Sequence, residues 1–114
     1  MAFERLKQQN PDIAGLIRRL TIYPEPLGVG GSASPGNPHD INIDASQSED
    51  AIFPRNRDFT LDRTVRHEAQ HLDQYRRMRE SGIPLWNYTP LKGLREKEAS
   101  AESLKYLNNL FPDR

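Results

Sequence analysis

The chain reads as an α+β domain: an N-terminal helix, a small sheet of two to four short strands, and two helices that close it. Three observations predict this. Apolar residues recur at helical spacing on both sides of residues 21–59. The interval itself holds Pro24, Pro26, Pro35 and Pro38 with Gly28, Gly30, Gly31 and Gly36, which break any helix that begins there. At 114 residues the whole is one domain's worth, so residues 1–114 are taken as a single domain.

Residues 3–9 supply a helical turn or two. Asn10-Pro11 then offers an N-cap with proline at the first helical position, and Ile13, Leu16, Ile17 and Leu20 fall on one face of a helix expected to end near Leu20. Thr21-Ile22-Tyr23 and Asp40 to Asp44 are the strand candidates, the second because Ile41 and Ile43 alternate with polar neighbours. Gly28 to Gly31 lacks the Lys-Ser/Thr of a phosphate cradle and opens no helix, so it reads as a turn. A helix starting at Asp58 or Thr60 runs to about Glu80, where Ser81-Gly82-Ile83-Pro84 stops it. Its buried stripe is Leu61, Val65, Ala69, Leu72 and the stem of Arg76, with Arg63, Arg66, Gln70, Asp73 and Arg77 opposite. After a link from Ile83 to Pro90, a last helix spans about Leu94 to Leu110, its apolar side carrying Leu94, Ala101, Leu104, Leu107 and Phe111.

Composition excludes several function classes. Sixteen basic residues balance sixteen acidic ones, so no overall field draws the chain to nucleic acid or to an anionic membrane. Arg76, Arg77 and Arg79 read as the solvated face of a helix. There is no cysteine, which leaves imidazole and carboxylate as the metal ligands. No apolar run reaches signal-peptide or membrane-span length, and cytoplasmic residence is the expectation.

His67-Glu68-Ala69-Gln70-His71 is an HExxH motif in the middle of a helix. With three His and eight Glu, the pattern arises in roughly one shuffled chain in 200, so its spacing is treated as signal. Residues four apart on a helix are about 6 Å apart on one face, so both imidazoles reach a single zinc ion. Glu68 projects from the same side, where it can take a proton from a zinc-activated water. The alternative is a pair of surface histidines with a solvated glutamate.

A catalytic zinc needs a third protein ligand. His39 is the other imidazole, while positions 74 and 77, Gln and Arg, exclude the HExxHxxGxxH arrangement. In the last helix Glu98 lies at the border of the stripe through Leu94 and Ala101, whereas Glu96 points away, which makes Glu98 the expected ligand. Glu102, one turn on, is placed to accept the second ring N–H of a ligating histidine. The competing reading of both is a solvated acidic face pairing with Lys97 and Lys105.

With His67-Glu-Ala-Gln-His71 followed by Glu98-Ala-Ser-Ala-Glu102, the chain resembles a minimal zincin metallopeptidase of the gluzincin type. The string His-Glu-Ala-Gln-His-Leu-Asp-Gln is also similar to small zincin-like proteins of phages and mobile elements. The resemblance implies a zincin-like fold, Zn2+ held by His67, His71 and Glu98, Glu68 as general base, Glu102 behind the ligands, and hydrolysis of peptide bonds. It also implies a peptide or protein substrate paired along an edge strand, for which Asp40 to Asp44 is the candidate. Position 102 is Glu where the family pattern has Asp. The alternative function is a catalytically silent zincin-fold protein acting as a metal-binding interaction or assembly module. The oxyanion donor stays open among Tyr75, Tyr88 and an arginine.

Overall fold

The computed structural model describes residues 2–23, 31–44, 55–82, 92–110 and 112. In chain order these form α1 (Ala2–Gln9), α2 (Pro11–Ala14), β1 (Arg19–Tyr23), β2 (Gly31–Ser34), β3 (Asn37–Asp44), α3 (Arg55–Glu80) and α4 (Lys92–Leu110). This is a small α+β fold. The link from Ile83 to Pro90, with Tyr88, lies outside the described residues, as does Phe111.

The break at Asn10-Pro11 falls where it was expected, but the second helix ends at Ala14 where it was expected to run to about Leu20. Pro11 starts α2, but the Asn10 side chain bonds the Gln9 carbonyl instead of capping, and Gly15 ends the helix after four residues. Beyond it the Arg18 N–H already donates to His39 O at 2.8 Å, and pairing of β1 with β3 takes over from Arg19. Strand hydrogen bonds thereby satisfy a backbone that a longer helix would have left unpaired with β3. Leu16, Ile17 and Leu20 still pack against the core, from turn and strand positions.

The sheet order is β1-β3-β2, with β1 parallel and β2 antiparallel to β3. Asp40 to Asp44 therefore lies in the central strand, hydrogen-bonded on both sides, and not at an edge as expected. Among the described residues β2, which sequence reading missed, is the edge strand beside the helices. It is short and made of Gly, Ser and Ala, so it carries no alternating apolar signal.

Alternation along β3 buries Ile41 and Ile43 completely. They meet Val65, Ala69, Leu72 and Tyr75 of α3, with Leu6 of α1, Ala14 of α2 and Tyr106 of α4 completing the core. Helix α3 has the sheet, α1 and α2 around it and α4 along it. That is why Arg66 and Gln70, expected on the solvated face, are 6% exposed. Ser81 and Gly82 end α3 as expected, Gly82 at φ 75° with its N–H on Arg79 O. Among the described residues no helix is long and apolar enough to cross a membrane.

An ion pair ties α1 to the start of α3. The Arg5 Nε donates to both Asp62 carboxylate oxygens at 3.1 Å, and the Asp62 side chain is fully buried. Arg5→Ala leaves that carboxylate buried without its guanidinium and is expected to cost about 3 kcal/mol, measured by denaturant unfolding. A loss within error of zero would mean that Asp62 is held by its other contacts alone.

Candidate metal centre

The buried face of α4 decides which carboxylate meets the histidines. Ala99, Ser103, Tyr106 and Leu107 are buried on this helix, while Leu94 and Leu104 are 69% and 53% exposed. Glu96, Ala99, Ser103, Tyr106 and Leu110 follow one another at steps of three and four, one continuous stripe turned toward α3. Glu96 thus opens the stripe that packs, and Glu98 lies off it.

The geometry follows. His67 Nε2 is 3.0 Å from Glu96 Oε2, and His71 Nε2 is 3.1 Å from Glu96 Oε1. The three ligand atoms offered by His67, His71 and Glu96 lie within 4.8 Å of one another. Four ligands on a tetrahedral ion at ~2.0–2.1 Å stand roughly 3.3 Å apart, a value that the two histidine–Glu96 distances approach, so the group could hold a metal ion. The HExxH pair, expected on the metal, comes together; Glu98, expected as third ligand, does not, and Glu96, expected to point away, takes its place in the cluster. His39 is remote in role: its Nδ1 is 3.0 Å from Leu16 O.

Glu98 stands one layer back. Its Oε1 accepts from Gln70 Nε2 at 2.7 Å, Gln74 Nε2 at 3.2 Å and Arg77 Nη2 at 2.6 Å. Burial alone would raise its carboxyl, but these three donors hold it below the usual carboxylate range. Gln74 also donates through Nε2 to Arg95 O at 3.0 Å, and its Oε1 is 2.8 Å from His71 Nδ1. Two acceptors fix the amide nitrogen of Gln74, so its oxygen faces the imidazole and His71 Nδ1 must donate. His71 Nε2 is thereby left facing the Glu96 carboxylate.

The place beside the His71 ring expected of Glu102 is taken by Gln74. Glu102 instead sits 3.8 Å from Arg66 Nη2 and 3.9 Å from Lys105 Nζ. Gln74 and Glu96 escaped the sequence because the stripe was drawn through the large residues of α4; Ala99, Ser103 and Tyr106 at i, i+4, i+7 carried the signal.

His67 is held below the usual histidine range, chiefly by burial, against the opposing pull of Glu96. Low basicity suits a metal ligand, which must be deprotonated at nitrogen. The His67 and His71 rings meet edge-on with centroids 4.9 Å apart. Tyr75 stacks on His71 at 6.3 Å, and its hydroxyl donates to Ala33 O of β2 at 3.3 Å, which makes it a wall of the site.

Glu68 lies beside the cluster, 7% exposed, in the wall of a cavity of about 570 Å³ that His67, Glu96, Arg63, Gly31 and Leu104 also line. Burial first, and the Glu96 carboxylate second, push its carboxyl up to about 8. A divalent cation at the histidines would pull it back down. Gly31 of β2 presses on this residue: a Cβ there would come within 3.0 Å of Glu68 Cγ, 2.9 Å of Thr64 Cγ2 and 3.1 Å of the Asn42 carbonyl. The edge strand and the glutamate can touch because position 31 has no side chain.

Comparisons with protein-family models, with curated proteins and with solved structures return no match to this chain.

Proposed function

We propose that the protein is a zinc-dependent metallopeptidase in which His67, His71 and Glu96 hold the metal and Glu68 is the general base. The observation that carries the reading is the convergence of two imidazole Nε2 atoms and one carboxylate within 4.8 Å, with a second, buried glutamate at the same cavity. Two His and one Glu are a donor set of catalytic zinc sites, which keep a further position open.

Zinc held there supplies a Lewis acid that polarises a carbonyl and acidifies water. The chain's own residues do the rest. Glu68 would take a proton from water in the cavity as the water oxygen bonds the peptide carbonyl carbon, and would return it to the amine as the C–N bond breaks, so one C–O bond forms for the C–N bond lost and the proton balance closes on one carboxylate. Its burial keeps the exchange away from bulk solvent. Gln74, anchored by Glu98 and Arg95 O, holds His71 with Nε2 toward the metal position.

An extended peptide would pair with the outer edge of β2, Gly31 to Ser34, and so pass directly over Glu68. This edge replaces Asp40 to Asp44, whose backbone is already paired on both sides.

The test is metal content, thermal unfolding and cleavage of a denatured protein mixture, with and without chelator. One zinc per chain, a melting temperature that rises with zinc and chelator-sensitive cleavage are expected. A chain that takes up no zinc ends the reading. Zinc retained with no cleavage on any substrate would leave a metal-binding assembly module in its place.

A further inference from the structure

Among the described residues, the cavity beside the proposed metal position carries one cation without a carboxylate partner. Arg63 precedes His67 by one helical turn, is exposed, and lines the cavity together with Glu68 and Glu96. The arginines of α3 that reach toward α4 are engaged: Arg66 with Gln70 and Glu102, Arg77 with Asp73 and Glu98. Arg76 is held by Asp73 and Glu80 on its own helix. Among the described residues Arg63 meets no carboxylate.

The guanidinium gives the sign of the ligand. Arg63 is a permanent cation on the cavity wall, and no carboxylate of the described residues lies within ion-pair distance of it, so its fork is open to an anionic group. A cavity wall raises the value of matching that charge above what it would be on open surface. Across the cavity Leu104, a large apolar residue 53% exposed, offers contact to the hydrocarbon part of whatever brings the anion.

We propose that Arg63 is a substrate-binding residue that receives a carboxylate carried by the peptide close to the bond under attack. The inference rests on the metallopeptidase reading for the position of that bond. One helical turn is about 5.4 Å and an extended peptide advances about 3.3 Å per residue, so the carboxylate falls one or two residues from the cleaved bond. It belongs either to an Asp or Glu side chain or to the peptide's own C-terminus, and both give the planar two-oxygen group that a guanidinium fork matches.

Three sets of alanine-based pentapeptides separate these sources. One carries Asp at each position in turn with both ends capped, one carries the isostere Asn in the same places, and one is the Asn set with a free C-terminal carboxylate. Binding to the zinc-treated protein is titrated at low salt, with zinc content measured on the same samples. At least one Asp or free-carboxylate peptide should bind about tenfold more tightly than its neutral counterpart, the scale of a charge-assisted hydrogen bond. The difference should vanish in Arg63→Gln, whose site is exposed and forms no ion pair among the described residues, and should persist in part in Arg63→Lys. Equal binding of all charged and neutral partners by wild type, or an undiminished preference in Arg63→Gln, overturns the assignment. Samples without zinc would refute the metal centre, while the comparison between Asp and Asn peptides on the same metal-free chain would still judge Arg63.

Discussion

Glu68→Gln is expected to keep the fold and zinc of the wild type and to lose hydrolysis by about 10²–10⁴-fold, the usual contribution of a general base. The amide has the shape of the carboxyl and fits the same contact with Gly31, so the packing of β2 on α3 is preserved. It cannot take up a proton at neutral pH. Glu68 is next to one histidine in sequence and three residues from the other, and it is absent from the cluster of His67, His71 and Glu96. Metal content should therefore stay near one per chain. The measurement is zinc content, melting temperature and peptide cleavage on both proteins in parallel. Cleavage by the variant at the wild-type rate would mean that the proton goes elsewhere and that the proposed mechanism is wrong.

The second large effect separates two glutamates that lie two residues apart. Glu96→Gln should lower zinc affinity by more than about 100-fold, because it removes a direct donor from a three-residue set. Glu98→Gln should cost no more than roughly 10–100-fold, the range for residues that orient a ligand from behind, since Glu98 acts through Gln74 on His71. His39→Ala should leave the affinity unchanged. Competition against a chromophoric chelator gives all three values. If Glu98→Gln is the more damaging, Glu98 is the ligand after all and the helix is turned differently in the zinc-bound protein.

The contrast between those two residues also measures what the sequence could tell. The α+β class, the body of α3 and its stop at Gly82 were legible because proline, glycine and apolar period act locally, although the helix begins at Arg55 and not at the expected Asp58 or Thr60. His67, Glu68 and His71 were legible because one helix sets their spacing. The carboxylate that joins the two histidines, Glu96, was not, because its place depends on how α4 rotates against α3. That rotation is set by shape: Ala99 and Ser103 permit close approach, and Tyr106 fills the core beside Leu6. Leu94 and Leu104, which hydropathy assigns to the interior, stay at the surface. Strand β2 was hidden for a similar reason. Gly31 is there to let a backbone pass close to Thr64 and Glu68, and that need leaves no hydrophobic trace in the chain.

Helix α4 is held chiefly by α3. Much of the polar part of that contact is the chain from Arg66 through Gln70, Glu98 and Gln74 to His71, with Glu96 closing it on both imidazoles. Under the proposed function, a metal at this seam would add its coordination to the packing of Ala99, Ser103 and Tyr106 that holds α4 in place. Part of the free energy of docking α4 would then be read out as affinity for the ion, and under that reading the nineteen-residue helix would act as a latch whose closure the metal reports.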